Sequence, residues 1–380
     1  VNRSAVVVLL AALSLLGLGL QREGARGTFD RLEHGWVSWL AANAGPRVDL
    51  PALTLVLFDD EASDVAGVGR IEMLDGALFA RAAWRLGAVA AGVDGLSGEP
   101  RRMIEAAGGL PVFAGYVWTE PPAIGWSPWR GEPGDYWPEA PGLTGRPGRL
   151  ARGFLEAPSG TSGAREILLA GQNGGRPVAS FVVLAWAASQ QWRWSEVAAE
   201  PRGFRGPEGR LIFNAAGRAK FFPEEPAVMT MGHLLMQAEQ FEREGGEPPL
   251  RGRLLVLART TSDVPRWADG HLAPMTAGER WATAWEAVRL NRLFLAPGWW
   301  YPPLVLAVAA GLIFGPARRS WRSTVLGGVF AIFLFALAGL AVFGTSRVLL
   351  PAAPTIILLL AALLLARVGY RAGWLGKPRS

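Results

Sequence analysis

The chain has 380 residues, half of them hydrophobic, with no cysteine and a formal net charge of +6. That length allows a large core and two folding units, while the lack of thiols excludes disulfide support and cysteine chemistry. The charge excludes a nucleic-acid partner: residues 22–298 carry 29 basic against all 32 acidic residues, a net of −3, and the other nine basic residues flank apolar stretches, where they signal topology and form no phosphate-binding surface.

Four stretches hold no Asp, Glu, Lys or Arg: Ser4–Gln21, Leu293–Ala317, Ser323–Ser346 and Val348–Ala366, of 18, 25, 24 and 19 residues. A bilayer core takes about 20 residues of helix, so the sequence predicts an α-helical membrane part of four spans, one N-terminal and three C-terminal. Residues 1–21 form the anchor and 299–367 the last three spans, leaving 368–380 as a short tail. An uncleaved anchor competes with a signal peptide, since Arg3 precedes the first apolar run.

Cytoplasmic placement of Arg3, the Ala317–Ser323 loop and the tail puts eight of the nine basic residues inside and only Arg347 outside. The expected location is a bacterial inner membrane, multi-pass, with both termini cytoplasmic and residues 22–298 periplasmic or extracellular. Trp299, Trp300 and Tyr301 then mark the outer interface, and Trp321, Tyr370 and Trp374 the inner one.

In the outer segment, Phe29, Leu32, Trp36 and Leu40 have helical spacing with charges between. Leu53–Phe58 reads as a strand, Met73–Leu86 as a helix stopped by Gly87, and Ala88–Asp94 as a second strand. This strand–helix–strand unit predicts an α/β domain with a mixed or mainly parallel sheet and flanking helices. Pro111–Trp118 is a third strand. Residues 119–149 hold seven Pro and six Gly, too many breakers for a regular element. Trp126, Trp129, Tyr136 and Trp137 in that loop read as a flap or partner contact, against the plainer reading of rings packed on the domain. A helix around Val178–Val197, a strand Arg210–Asn214, a helix near Ala227–Arg243, a strand Arg253–Ala258 and a helix Ala277–Leu293 complete the segment.

Three isolated histidines offer no metal-ligand spacing. The stretch DGLSGEP, Asp94–Pro100, has its second Gly one residue too early for a nucleophile elbow, and no phosphate-binding loop or dinucleotide fingerprint is present. No catalytic residue, metal or cofactor is expected. What remains is a set of acids and hydroxyls at strand ends: Asp59 and Asp60, Asp94, and Thr260, Thr261 and Asp263. In a parallel sheet these share one rim, where ligands bind; helix and turn capping is the competing reading.

The order of these features resembles the second type of CHASE domain, an extracellular sensing module associated with cyclases and histidine kinases. LTLVLFDDEAS resembles its opening strand and acid-rich turn, and LGAVAAGVD its second strand, with Gly87 and Asp94 matching. LIFNAAG resembles its Asn–Gly segment at Asn214 and Gly217, and RLLVLARTTSD its hydroxyl-rich strand end. The stretch Leu272–Trp300 resembles its terminal helix and membrane entry, with Pro274 and Gly278 matching. A Trp/Pro-rich motif before the first helix is absent, and Ala282 stands where the family favours His. The resemblance implies a membrane sensor whose periplasmic head binds a ligand or protein and signals to a cytoplasmic kinase, cyclase or regulator. That output is expected on another chain, or the sequence is the sensory part of a longer receptor; a homodimer suits the layout. A structural or assembly component of an envelope complex is the alternative.

Overall fold

The computed structural model describes residues 3–25, 27–44, 49–58, 73–93, 100–118, 151–156, 166–173, 176–192, 196–200, 202–214, 217–222, 224–259, 277–315, 317 and 320–375. The chain divides into two compact units, Val1–Pro46 with Phe294–Ser380, and Arg47–Leu293. In chain order, helices α1 (Arg3–Ala25) and α2 (Asp30–Asn43) open the first unit. The second contains β1 (Leu53–Phe58), α3 (Met73–Arg85), β2 (Ala90–Val93), α4 (Pro100–Ala106), β3 (Val112–Trp118) and β4 (Ala151–Glu156). Short strands follow, β5 (Glu166–Leu168), β6 (Ala170–Asn173) and β7 (Arg176–Ala179), then α5 (Phe181–Ser189). Next come β8 (Ala198–Glu200), β9 (Gly203–Arg205), β10 (Arg210–Ile212), β11 (Arg218–Lys220) and β12 (Ala227–Thr230). The unit closes with α6 (Met231–Glu244), β13 (Leu254–Arg259) and α7 (Ala277–Arg289). Helices α8 (Tyr301–Phe314), α9 (Trp321–Ser346) and α10 (Ala352–Arg371) return to the first unit.

Three helices of the first unit are long and apolar enough to cross a membrane: Ser4–Glu23, Trp321–Ser346 and Ala352–Arg371. The fourth, α8, has 14 residues, about 21 Å of helix, shorter than a hydrocarbon core of about 30 Å. Its start is set by Pro302 and Pro303 in the first turn, where a missing N–H costs nothing. Helix α9 begins at Ser320, whose Oγ accepts from the Ser323 amide at 3.2 Å, and ends at Arg347, a left-handed cap with φ 57°.

The ends of these helices are matched. The Leu295 amide donates to the Arg347 carbonyl at 2.7 Å and the Leu349 amide to the Leu295 carbonyl at 2.9 Å. This bridge ties the approach to α8 to the α9–α10 junction. At the other end Arg367 Nη1 donates to the Ala317 carbonyl at 3.4 Å. Helices α8 and α10 therefore run parallel, with α9 antiparallel to both.

The second unit is built on a six-stranded sheet of order β12-β1-β13-β2-β3-β4, and every pairing in it is parallel. Buried parallel strands must be apolar on both faces, and LTLVLF supplies this. Leu53, Leu55 and Leu57 point into a core with α5 and α7. Val56 points into another with α3 and α6. The remaining pairings are small and antiparallel, β8–β9–β10, β5–β11 and β6–β7.

Two elements differ from the sequence reading. The segment near Ala227–Arg243 starts as the edge strand β12 and turns helical only at Met231. Thr230 makes the switch: its Oγ1 accepts from the His233 amide at 3.2 Å, an N-cap, while Ala227–Thr230 pair with β1. The helix expected over Val178–Val197 spans only Phe181–Ser189, because Arg176–Ala179 pair with β6.

Helix α7 is locked to the start of β1. The Glu286 carboxylate, 4 % exposed, accepts from the Leu53 amide at 2.9 Å and from Arg289 Nε at 2.6 Å. Trp285 Nε1 donates to the Pro51 carbonyl at 3.2 Å. Removing a buried acceptor strands its donors, which costs about 3 kcal/mol, whereas an amide that keeps one acceptor costs less. Glu286→Ala should therefore lower the thermal midpoint of the detergent-solubilised chain by several degrees, with Glu286→Gln in between. An unchanged midpoint for both variants would show that this carboxylate does not secure the helix.

Candidate functional sites

Strands β1, β13 and β2 are neighbours, with Phe58 opposite Arg259 and Leu257 opposite Val93. Their carboxyl ends thus fall on one edge of the sheet. Asp59 and Asp60 follow Phe58 in the chain, Asp94 follows Val93, and Thr260, Thr261 and Asp263 follow Arg259. All six lie outside the described residues, as do Trp126, Trp129, Tyr136, Trp137 and Pro274.

The described residues show what surrounds that edge. The last turn of α3 is tied to the entry of β13, through the Leu250 amide on the Leu86 carbonyl and the Gly252 amide on the Gly87 carbonyl. The end of α5 meets the entry of β1, Gln190 Nε2 donating to the Asp49 carbonyl at 3.2 Å. Helix α7 meets the same entry through Trp285 and Glu286, and α6 starts where β12 stops. Four helices thus direct their N-termini, the positive ends of their dipoles, toward the carboxyl edge. On the α5–α7 face, Phe181 packs edge-on against Trp281 at 4.5 Å between centroids. Ser180 Oγ, at the N-cap of α5, and Trp281 Nε1 are buried without a hydrogen-bond partner among the described residues.

Gly87, Asn214 and Gly217 have structural work. Gly87 ends α3 at φ +80°, its amide on the Trp84 carbonyl and the next amide on Ala83. Asn214 Oδ1 accepts from the Arg218 amide at 3.0 Å, and Gly217, at φ +75°, lies so close to the Ala170 carbonyl that a Cβ there would overlap it. Ala282 is buried in the α7 core. His233 is exposed and borders Gln237, and no group of metal-ligating side chains occurs among the described residues.

A second constellation lies in the helical unit and went unnoticed in the sequence. Helix α10 opens Pro351-Ala352-Ala353-Pro354. A helix leaves its first four N–H groups unpaired; here two positions are prolines with none. The remaining two go to a single carboxylate on α2: Glu33 Oε1 accepts from the Ala353 amide at 2.7 Å, and Oε2 from the Ala352 amide at 3.2 Å. Trp36, one turn on, donates Nε1 to the Leu350 carbonyl at 3.0 Å. Its ring stacks on Trp39 at 5.1 Å and on Phe335 of α9 at 5.8 Å. Gly339 makes room for it, since a Cβ there would stand 2.7 Å from the Trp36 ring. Beside the clamp, Tyr301 OH pairs with Thr355 Oγ1, which donates to the Pro351 carbonyl. The available hint was an acid at i, i+4, i+7 spacing with Val37 and Leu40, on the face that α2 buries.

No family model matches the chain, and no curated protein or solved structure matches it.

Burial pushes the Glu33 carboxyl above its ordinary range, partly offset by the two backbone amides. A carboxyl raised in the folded state contributes stability that is fully present below its unfolded pKa, about 4.3. That contribution is lost as pH rises through the folded value. The melting temperature of the wild type should therefore fall relative to that of Glu33→Gln as pH rises from about 4 through that window. Glu33→Ala leaves two buried amides bare and should cost about 2–4 kcal/mol at pH 4, less as pH rises through that window. Parallel pH profiles for wild type and Glu33→Gln would contradict the assigned titration.

Proposed function

We propose that the chain is a membrane sensor: an α/β head outside a bacterial inner membrane binds a ligand or partner and passes a displacement through the helices to a cytoplasmic output module. The output is a kinase, cyclase or regulator, on another chain or in a longer receptor. The carrying observation is chain continuity from α7 to the helical unit. Helix α7 has its N-terminus toward the carboxyl edge of the sheet, its last turn held at the entry of β1, and only five residues between Arg289 and Leu295. Leu295 is in turn bridged to Val348 at the α9–α10 junction. A displacement of α7 thus has a short covalent path along the chain to Leu295. A ligand drives it only through differential affinity for two arrangements.

Several features support the membrane placement. Within the helical unit, Ala44 lies against Gly344 near the same end of α9 that Leu295 joins, so the chain leaves and re-enters at one end. Trp39, Trp299 and Trp300 are exposed at that end, and Trp321 and Trp374 at the other, as interfacial belts require. In this reading α8 is the fourth span, its short length met by local bilayer thinning. The order of the segments resembles the second type of CHASE domain, and Asp59, Asp60, Asp94, Thr260, Thr261 and Asp263 are the proposed ligand rim.

A periplasm-dependent reporter fused after Ser346 should be active and one fused after Ser320 inactive; the reverse pattern would overturn the topology. Purification from native membranes should bring down a kinase, cyclase or response regulator. Recovery of envelope-assembly proteins alone would favour the structural role instead.

A further inference from the structure

Between α1, α8 and α10 runs a cleft of about 210 Å³, lined by residues from Ser14 to Gln21 on one side and by Val305, Leu306 and Leu358 on the others. We infer that it holds one acyl chain of a membrane phospholipid, with the headgroup at the Gln21 end. The inference rests on the membrane reading above.

Shape is the first argument. Ser14 to Gln21 spans about 10 Å of helix axis, so about 210 Å³ along it leaves a cross-section of about 20 Å², the width of a single hydrocarbon chain and too narrow for a peptide segment. Chemistry is the second. The hydroxyls that border the cleft are already committed: Ser14 to the Leu10 carbonyl, Thr355 to the Pro351 carbonyl and Tyr301 to Thr355. A water needs two to four polar partners, and apolar cavities without them stay dry and take apolar guests. Continuity is the third. Leu18 lines the cleft and is also 63 % exposed, so the cleft opens onto the side of α1 that meets lipid. Helix α1 is otherwise sparsely packed, with 6 % of its apolar window buried. A tail in the cleft adds dispersion contacts to all three helices at once and helps hold the anchor in place.

The test uses the full chain in phosphatidylethanolamine–phosphatidylglycerol vesicles doped with a phosphatidylethanolamine that carries a diazirine in mid-chain, with adducts mapped by peptide mass spectrometry. Labelling per residue should be higher at Leu18, Leu306 and Leu358 than at Phe330 and Phe333 on the exposed side of α9. Leu18→Trp and Leu306→Trp should each cut the cleft adducts by about tenfold, because a filled cleft leaves no room for a chain, with α9 labelling unchanged. Val8→Trp, at a 67 % exposed site off the cleft, should change nothing. Equal labelling of cleft and α9, or cleft labelling unmoved by both filling variants, overturns the lipid site while leaving the membrane reading intact. Absence of adducts on α9 as well would instead remove the membrane reading and the site with it.

Discussion

The two backbone amides at the head of α10 set the arrangement of the helical unit. Pro351 and Pro354 remove two of the four donors that a helix start leaves open, and Glu33 accepts from the other two. An amide buried without an acceptor costs a kilocalorie or more, so α10 can begin here only where α2 presents its carboxylate. Everything at this end follows from that meeting. Trp36 lies across α9 because Gly339 leaves space for its ring, and Tyr301 reaches Thr355 because α8 and α10 start level. The strand-like bridge from Leu295 to Val348 then satisfies backbone groups just outside the helices, where an open edge would otherwise remain.

The head obeys a different constraint. A parallel sheet needs cover on both faces, and its crossovers need helices that run back against the strands. These two demands place the N-termini of α3, α5, α6 and α7 at one edge. They also place the closing end of α7 at the entry of β1, where Glu286 supplies an acceptor to the Leu53 amide. A buried carboxylate thus secures a junction in each unit, Glu286 in the head and Glu33 among the helices. Both sit on helices that flank the membrane segments in sequence.

Much of this was visible in the residues. LTLVLF, apolar at every position but Thr54, read as a strand, and the run Met73–Gly87 carried its own stop. The edge strand β12 was not visible. AVMTMGHLLMQAEQFERE keeps a helical rhythm throughout, and only pairing with β1 pulls its first four residues straight. Strands β5 to β9 were hidden for another reason: three- and four-residue strands show no period, and their partners are set by contacts distant in sequence. The apolar stretch Leu293–Ala317 is longer than the helix it holds, because a Pro-Pro pair delays the helix start to Tyr301. Glu33 looked like one more charge on an amphipathic helix. Its partners are backbone amides some 320 residues away, and no side-chain pattern encodes them.

Four helix N-termini at one sheet edge create a positive partial field, and Asp59, Asp60 and Asp94 are each within two residues, along the chain, of a strand that ends there. Carboxylates in such a field serve equally as caps and as ligand contacts, and the two roles compete for the same lone pairs.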